Sequence, residues 1–207
     1  MIKSNLNFKL FFLIKVFIIY LIICSQSYAD NPKMKKNMVV IGSYDAMVKI
    51  KVFSSLTCPH CASFHIKVVP EIKKEYIESG KAQLIFIDFP LDQAAFNASK
   101  LLHCVDQKRQ IDFLDTIYET QNKWTDGSNI NEINKNLKKI VRNLGISSEQ
   151  FDKCLTDEVI SDKILNKRIE ANQKYSINST PTIIINEEKL EGSASFKNIK
   201  KKIEKII

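Results

Sequence analysis

The residues best suited to chemistry in this 207-residue chain are two cysteines separated by two residues, in Cys58-Pro59-His60-Cys61. The motif follows a strand-like apolar run, and Thr57 and Pro59 are typical of a helix start. A thiol there faces unpaired backbone N–H groups and the positive end of the helix dipole, which stabilise a thiolate. We predict a redox-active pair in which Cys58 is the exposed nucleophile and Cys61 the resolving thiol.

Metal and haem chemistry fit the motif less well. His65 falls on the same predicted helix face as the two cysteines, but a structural zinc site needs a fourth ligand and usually a second paired motif. Haem attachment needs histidine directly after the second cysteine, where Ala62 stands. We expect no metal and no other cofactor, and we expect His65 to be a packed or hydrogen-bonded helix residue. The sequence identifies no partner for His103.

The first 29 residues are typical of an export signal. They combine three lysines and no acidic residue with an apolar core over 11–24 and the small-x-small pattern Ser27-Tyr28-Ala29. The apolar stretch is shorter than the roughly 20 residues that a spanning helix needs. We predict cleavage after Ala29 and a periplasmic location, with an uncleaved anchor as the alternative.

Export changes how the remaining cysteines are interpreted, because an oxidising compartment permits disulfides. The predicted mature chain keeps Cys58, Cys61, Cys104 and Cys154, and four cysteines allow three pairings. Once the motif takes its own pair, a structural disulfide between Cys104 and Cys154 remains. The alternative is two buried thiols that behave as small apolar residues.

The order of elements predicts an α/β fold. Strand-like runs at 38–42, 48–53, 83–89 and 182–185 surround a helical block, and Pro70 should kink the helix after the motif. We predict a core domain from residues 38–91 and 176–207, with an inserted helical domain over 92–175. Within the insertion, Ser147 to Gln150 forms a capping box flanked by Ile146 and Phe151 as a hydrophobic staple.

Composition supports a folded domain and argues against nucleic-acid binding. Hydrophobic residues make up 44% of the chain and the formal net charge is +8. The lysine clusters lack interleaved aromatic residues or a binding motif, so they indicate solvated helix faces.

In the Cys-Pro-His-Cys motif, in Phe64-His65 and in Thr180-Pro181-Thr182, the sequence resembles the DsbA family of bacterial disulfide oxidoreductases. The resemblance implies a thioredoxin-like fold, a cis Pro181 facing the cysteines, and Thr180 pairing with the substrate backbone. It also implies His60 beside the Cys58 thiolate, donation of disulfides to unfolded or reduced exported proteins, and a DsbB-like membrane reoxidant. Family members carry a buried acid on the strand before the motif, where this sequence has Val52.

Other functions of the same superfamily remain open at this point. They are a disulfide isomerase or reductase, and a non-catalytic, chaperone-like binding module that keeps Cys58–Cys61 as a structural disulfide. Dimeric isomerases carry a separate N-terminal domain, whereas fewer than twenty residues separate Ala29 from the strand at Val48. We therefore expect a monomeric oxidase.

Overall fold

A five-stranded mixed sheet organises residues 38–207, the part of the chain that the computed structural model describes. The predicted export signal and its cleavage after Ala29 lie outside the described residues. The strands are β1 (Val39–Ile41), β2 (Val48–Ser54), β3 (Ala82–Asp88), β4 (Thr182–Ile185) and β5 (Glu188–Lys189).

The strand order is β1-β3-β2-β4-β5, with β2 parallel to β3 and all other neighbours antiparallel. Alternation in β2 decides which face is buried: Val48, Ile50 and Val52 are fully buried, while Lys49 and Lys51 are partly exposed on the other face. A parallel pair needs a crossover connection, and the segment that follows the Cys58 motif supplies it.

The crossover is α1 (Pro59–Lys67), followed by α2 (Val69–Ile72) and a π-helical turn (Lys73–Ile77). The helix breaks at Val68, and Pro70 occupies the first turn of α2, where its missing N–H has no helical partner to lose. The predicted kink is therefore confirmed.

A block of helices separates β3 from β4 in the chain, and a last helix follows β5. The cap at Ser147 is confirmed, since its hydroxyl accepts the Gln150 N–H at 3.1 Å and both Ile146 and Phe151 are buried. The helices are α3 (Gln93–Cys104), α4 (Gln110–Glu119), α5 (Gln121–Trp124), α6 (Ile130–Arg142), α7 (Ser148–Leu155), α8 (Glu158–Tyr175) and α9 (Phe196–Ile203), with a 3-10 turn at Gln107–Arg109.

Both faces of the sheet are covered. The larger core packs β2, β3 and β4 against the crossover, α3, α4 and α9, whereas Phe53, Ile184 and Ala171 form a smaller cluster beneath α8. The α/β order predicted from the sequence is confirmed. The sequence analysis does not predict strand β5. Asn186 and Glu187 form a turn with positive φ, so antiparallel pairing with β4 begins again at Glu188.

Within residues 38–207, no helix combines the length and the apolar character that crossing a membrane requires.

Candidate active site

The Cys58 motif lies at the junction between β2 and α1, where the sequence places it. Cys58 is the N-cap residue of α1 with an extended backbone, and its carbonyl accepts the N–H groups of Cys61 at 3.0 Å and Ala62 at 3.1 Å. Pro59 follows at the first helical position. The Cys58 thiol therefore stands at the N-terminal end of the helix, where backbone N–H groups favour negative charge.

The two motif cysteines have different surroundings although both are free thiols. Cys58 is half-buried, whereas Cys61 is 1% exposed. Burial raises the pKa of the Cys61 thiol to about 12, because removal from solvent disfavours the charged thiolate. At neutral pH, Cys61 holds its proton.

The segment before β4 approaches the motif from across the sheet. The Thr180–Pro181 peptide bond is cis, and the Cys58 Sγ donates to the Thr180 carbonyl oxygen at 3.3 Å. Antiparallel pairing of β2 with β4 brings these residues together although 122 positions separate them in the chain. The two predicted site segments thus meet at the Cys58 thiol.

Polar side chains from two helices hold the loop that leads to Cys58. Gln121 of α5 donates to the carbonyl oxygens of Leu56 at 2.8 Å and Cys58 at 3.2 Å. The Thr57 hydroxyl donates to Asp92 at 2.6 Å, and Asp92 also caps α3. Sequence reasoning did not identify either support. The position of Asp92 at the start of the helical block is a capping signal, but no local pattern marks Gln121.

His60 is exposed in the first turn of α1, two residues after Cys58. The described part of the chain shows no hydrogen bond between His60 and Cys58. Val52, at the position where the resemblance implies an acid, is 1% exposed in the larger core. An aliphatic side chain there can neither accept nor donate a proton.

His65 is a packed and hydrogen-bonded helix residue, which confirms that expectation. It is 5% exposed, its ring lies 4.8 Å from the Tyr118 ring and 5.4 Å from the Phe86 ring, and its Nε2 is 2.6 Å from Asp115 Oδ1. Burial raises the pKa of Tyr118 well above its ordinary value, and the nearby Cys61 adds to the rise. Tyr118 is therefore neutral at physiological pH.

His103, for which the sequence identified no partner, lies 2.7 Å from Asp88 at the end of β3. Burial lowers the pKa of His103, but the charge and hydrogen bond of Asp88 outweigh it and raise the pKa above 6.5. The next residue, Cys104, is bonded to Cys154 with an S–S length of 2.05 Å, across a separation of 50 residues.

No group of three or more histidine, cysteine or acidic residues among residues 38–207 is arranged to hold a metal ion. What the site does hold is a C-x-x-C pair at a strand-to-helix junction, facing a cis proline from a later strand. On a mixed sheet covered by helices, this arrangement defines the class of thioredoxin-fold thiol:disulfide oxidoreductases.

Comparison with known proteins agrees with this class. The chain matches the thioredoxin family over residues 34–205 and belongs to it. A Bacillus anthracis relative named as a disulfide bond formation protein D is 32% identical over 169 residues, 80% of this chain and 76% of the relative. Rickettsia relatives named as protein-disulfide oxidoreductases are longer than this chain. The R. bellii protein is 28% identical over 84% of this chain, and the matched region spans 66% of the R. bellii protein.

Solved structures place the chain within the DsbA-like branch. The alpha-DsbA1 structure of Wolbachia pipientis is 30% identical with a TM-score of 0.74, covering 82% of this chain and 90% of that one. The structure of oxidised BdbD from Bacillus subtilis is 26% identical with a TM-score of 0.71, covering 82% and 92%. The predicted thioredoxin-like fold and the DsbA-like family are confirmed, and the names of these relatives agree with the predicted thiol:disulfide oxidoreductase.

Proposed function

We propose that this protein donates disulfide bonds to exported proteins through a disulfide between Cys58 and Cys61. The observation that carries the proposal is the asymmetry of the pair. Cys58 is half-buried at a helix N-terminus, and Cys61 is buried with a pKa raised to about 12. A substrate thiol can reach only the first sulfur, so attack at Cys58 and departure of Cys61 follow.

In this mechanism a substrate thiolate attacks Cys58 Sγ, the Cys58–Cys61 bond breaks, and Cys61 leaves. A second substrate thiolate then attacks the substrate sulfur of the mixed disulfide, so that the substrate disulfide forms and Cys58 departs as thiolate. The helix N-terminus stabilises that leaving thiolate. Thr180 and Pro181 border Cys58 and would bind the substrate backbone, and the exposed His60 would add positive charge when protonated.

The cellular setting of the proposal comes from the sequence. An export signal over residues 1–29, cleaved after Ala29, would deliver a monomer to the periplasm, where a DsbB-like membrane protein would reoxidise it. The substrates would be unfolded or reduced exported proteins. We also propose that 38–91 with 176–207 acts as the redox domain and that 92–175 is a helical domain inserted into it.

The test is to trap the covalent intermediate. The Cys61→Ser variant, incubated with a partly oxidised protein that needs several disulfides, should accumulate a mixed disulfide through Cys58, because no resolving thiol remains. The Cys58→Ser variant should trap at least tenfold less, because its remaining thiol is buried and protonated. Non-reducing electrophoresis with mass mapping of the linked peptides measures both.

A matched control replaces Cys104 and Cys154 together, which should leave trapping and substrate oxidation intact. Equal alkylation of Cys58 and Cys61 at pH 5 in the reduced protein would contradict the assignment of the nucleophile.

A further inference from the structure

Because Cys61 is buried, its sulfur must gain or lose a proton inside the core whenever the Cys58–Cys61 disulfide breaks or forms. When a substrate thiolate opens the Cys58–Cys61 disulfide, Cys61 leaves as a thiolate inside the core. With a pKa raised to about 12, that sulfur takes up a proton, and it must lose the proton again when the disulfide is restored. Cys58 cannot supply or receive it at that moment, because Cys58 is bonded to the substrate.

His65 is a base that shares the buried face of α1 with Cys61. The two residues are four positions apart, so they lie one above the other on the helix, and both belong to its buried residues. The His65 Nδ1 has no hydrogen-bond partner among the described residues although it is buried. An unpaired buried ring nitrogen is costly, and such a group calls for a functional explanation.

The other ring nitrogen of His65 contacts a residue that is exposed to solvent. His65 Nε2 is paired with Asp115, whose side chain is 51% exposed. The pair lines a surface cavity of about 350 Å³. One side of the imidazole therefore faces the protein interior, and the other meets a carboxylate in contact with solvent.

The charged and titratable groups around this ring come from four elements: α1, α4, β3 and the π-helical turn. Cys61 precedes His65 on α1. Tyr118 and Asp115 contact the His65 ring from α4, and Asp88 of β3 lies beyond Tyr118. The remaining charged groups line the cavity. Those cavity groups are Glu119, Lys73 and Glu78. Tyr118 touches both His65 and the surroundings of Cys61, but burial keeps its hydroxyl protonated, so it cannot serve as the base.

We propose that His65 carries the proton of the Cys61 thiol between the core and solvent, with Asp115 orienting the ring and passing the proton on. The proposal rests on the redox roles assigned above to Cys58 and Cys61. During disulfide formation the Cys61 proton goes to His65 Nδ1, Cys61 Sγ attacks Cys58 Sγ, and the bound thiol leaves as thiolate. During disulfide donation the transfer runs in reverse: a proton taken up from solvent passes through His65 to the departing Cys61 sulfur.

The test separates the two chemical steps in the full-length protein. Reduced protein is mixed with excess oxidised glutathione and quenched in acid at short times, and the species are counted by mass. The first step puts glutathione on Cys58; the second closes the Cys58–Cys61 disulfide and releases it. His65→Gln should slow closure roughly 10²-fold and Asp115→Asn about tenfold, while the first step stays within twofold of wild type.

The pH profile distinguishes proton transfer from loss of packing. With His65 absent, closure depends on hydroxide reaching a thiol whose pKa is about 12, so its rate should rise about tenfold per pH unit from about pH 6 to 9. The wild-type rate should rise less steeply over that range. Glu119→Gln is the matched control, because it removes a charge from the same cavity without breaking a hydrogen bond to His65.

Closure rates within twofold of wild type in both variants, or equal slowing of both steps, would overturn the proposal. Should His65→Gln fold poorly, Asp115→Asn decides, since that carboxylate is half exposed. Glutathione appearing first on Cys61 would instead contradict the assignment of Cys58 as nucleophile, so the two failures are distinguishable.

Discussion

The two cysteine pairs of this protein have the same side-chain chemistry, but they differ in bonding state and in position within the fold. Cys58 and Cys61 are free thiols at a helix N-terminus, beside the Thr180 carbonyl. Cys104 and Cys154 are bonded to each other and join the end of α3 to α7 within the helical block. The first pair is placed for exchange with a second molecule, and the second pair closes a long loop of the same chain.

The comparison teaches that reactivity comes from position. A short C-x-x-C loop adds little constraint to the unfolded chain, so its disulfide can form and break at small cost to stability. A bond that closes a loop of 50 residues removes much more entropy from the unfolded chain. The Cys58–Cys61 disulfide is therefore suited to exchange with other thiols, and the Cys104–Cys154 disulfide is suited to stabilising the fold.

Two histidine–aspartate pairs also differ from each other, in their exposure to solvent. His103 and Asp88 are each 11% exposed, and Asp88 also accepts the Ser99 hydroxyl at 2.7 Å, so this ion pair is enclosed in the protein. His65 is equally enclosed, but its partner Asp115 is half exposed. Only the second pair connects the core with solvent, which is why we assign proton transfer to it.

The largest expected effect on stability comes from the closed loop. Replacing Cys104 and Cys154 by alanine should lower the free energy of unfolding by roughly 4 kcal/mol, because the unfolded chain gains the entropy of the open loop. Denaturant unfolding under non-reducing conditions measures it.

The matched variant replaces Cys58 and Cys61 by alanine. Compared with wild type in which only the Cys58–Cys61 disulfide has been reduced, this variant should show a smaller loss of unfolding free energy, because both proteins keep the Cys104–Cys154 bond. A loss below about 1 kcal/mol for the Cys104 and Cys154 variant would break the comparison, because the two pairs would then contribute alike.

The next effect concerns the ion pair beside the disulfide. His103→Gln should destabilise the protein by about 2 kcal/mol, since it leaves a buried carboxylate without its charged partner. The pKa of His103 is raised above 6.5, so its contribution is complete below pH 6.5 and is lost as pH rises through the raised value.

The destabilisation by His103→Gln should therefore be greatest at pH 5 to 6 and shrink toward pH 9. Denaturant midpoints of both proteins across that range provide the measurement. A difference that grows with pH would show that His103 is held neutral in the folded protein.

The smallest effect is expected in the loop that leads to Cys58. Gln121→Met keeps the side-chain volume but removes the donor to two loop carbonyls, so it should cost about 1 kcal/mol and slow substrate oxidation a few-fold. Asn122→Leu, an exposed change on the same helix, is the control. If both variants oxidise substrate alike, the loop does not depend on Gln121.

Much of the fold could be predicted because its signals are local. The cap at Ser147, the kink near Pro70 and the helix start at Pro59 each depend on interactions within one or two turns. The alternation in β2 likewise shows its buried face directly. The contacts of His103 and Gln121 could not be predicted, since each partner lies on a different element and no short pattern connects them.

The sequence by itself determined that one cysteine pair stands at the start of a helix after a strand and that two further cysteines remain. Both results follow from residue types and short spacings, which local backbone preferences translate into structure. Only the tertiary structure decided that Gln121 holds the loop before Cys58, that Asp88 pairs with His103 and that Asp115 gives His65 a route to solvent. Those contacts depend on strand pairing and helix packing between distant segments, where register and burial, not sequence neighbours, set which groups meet.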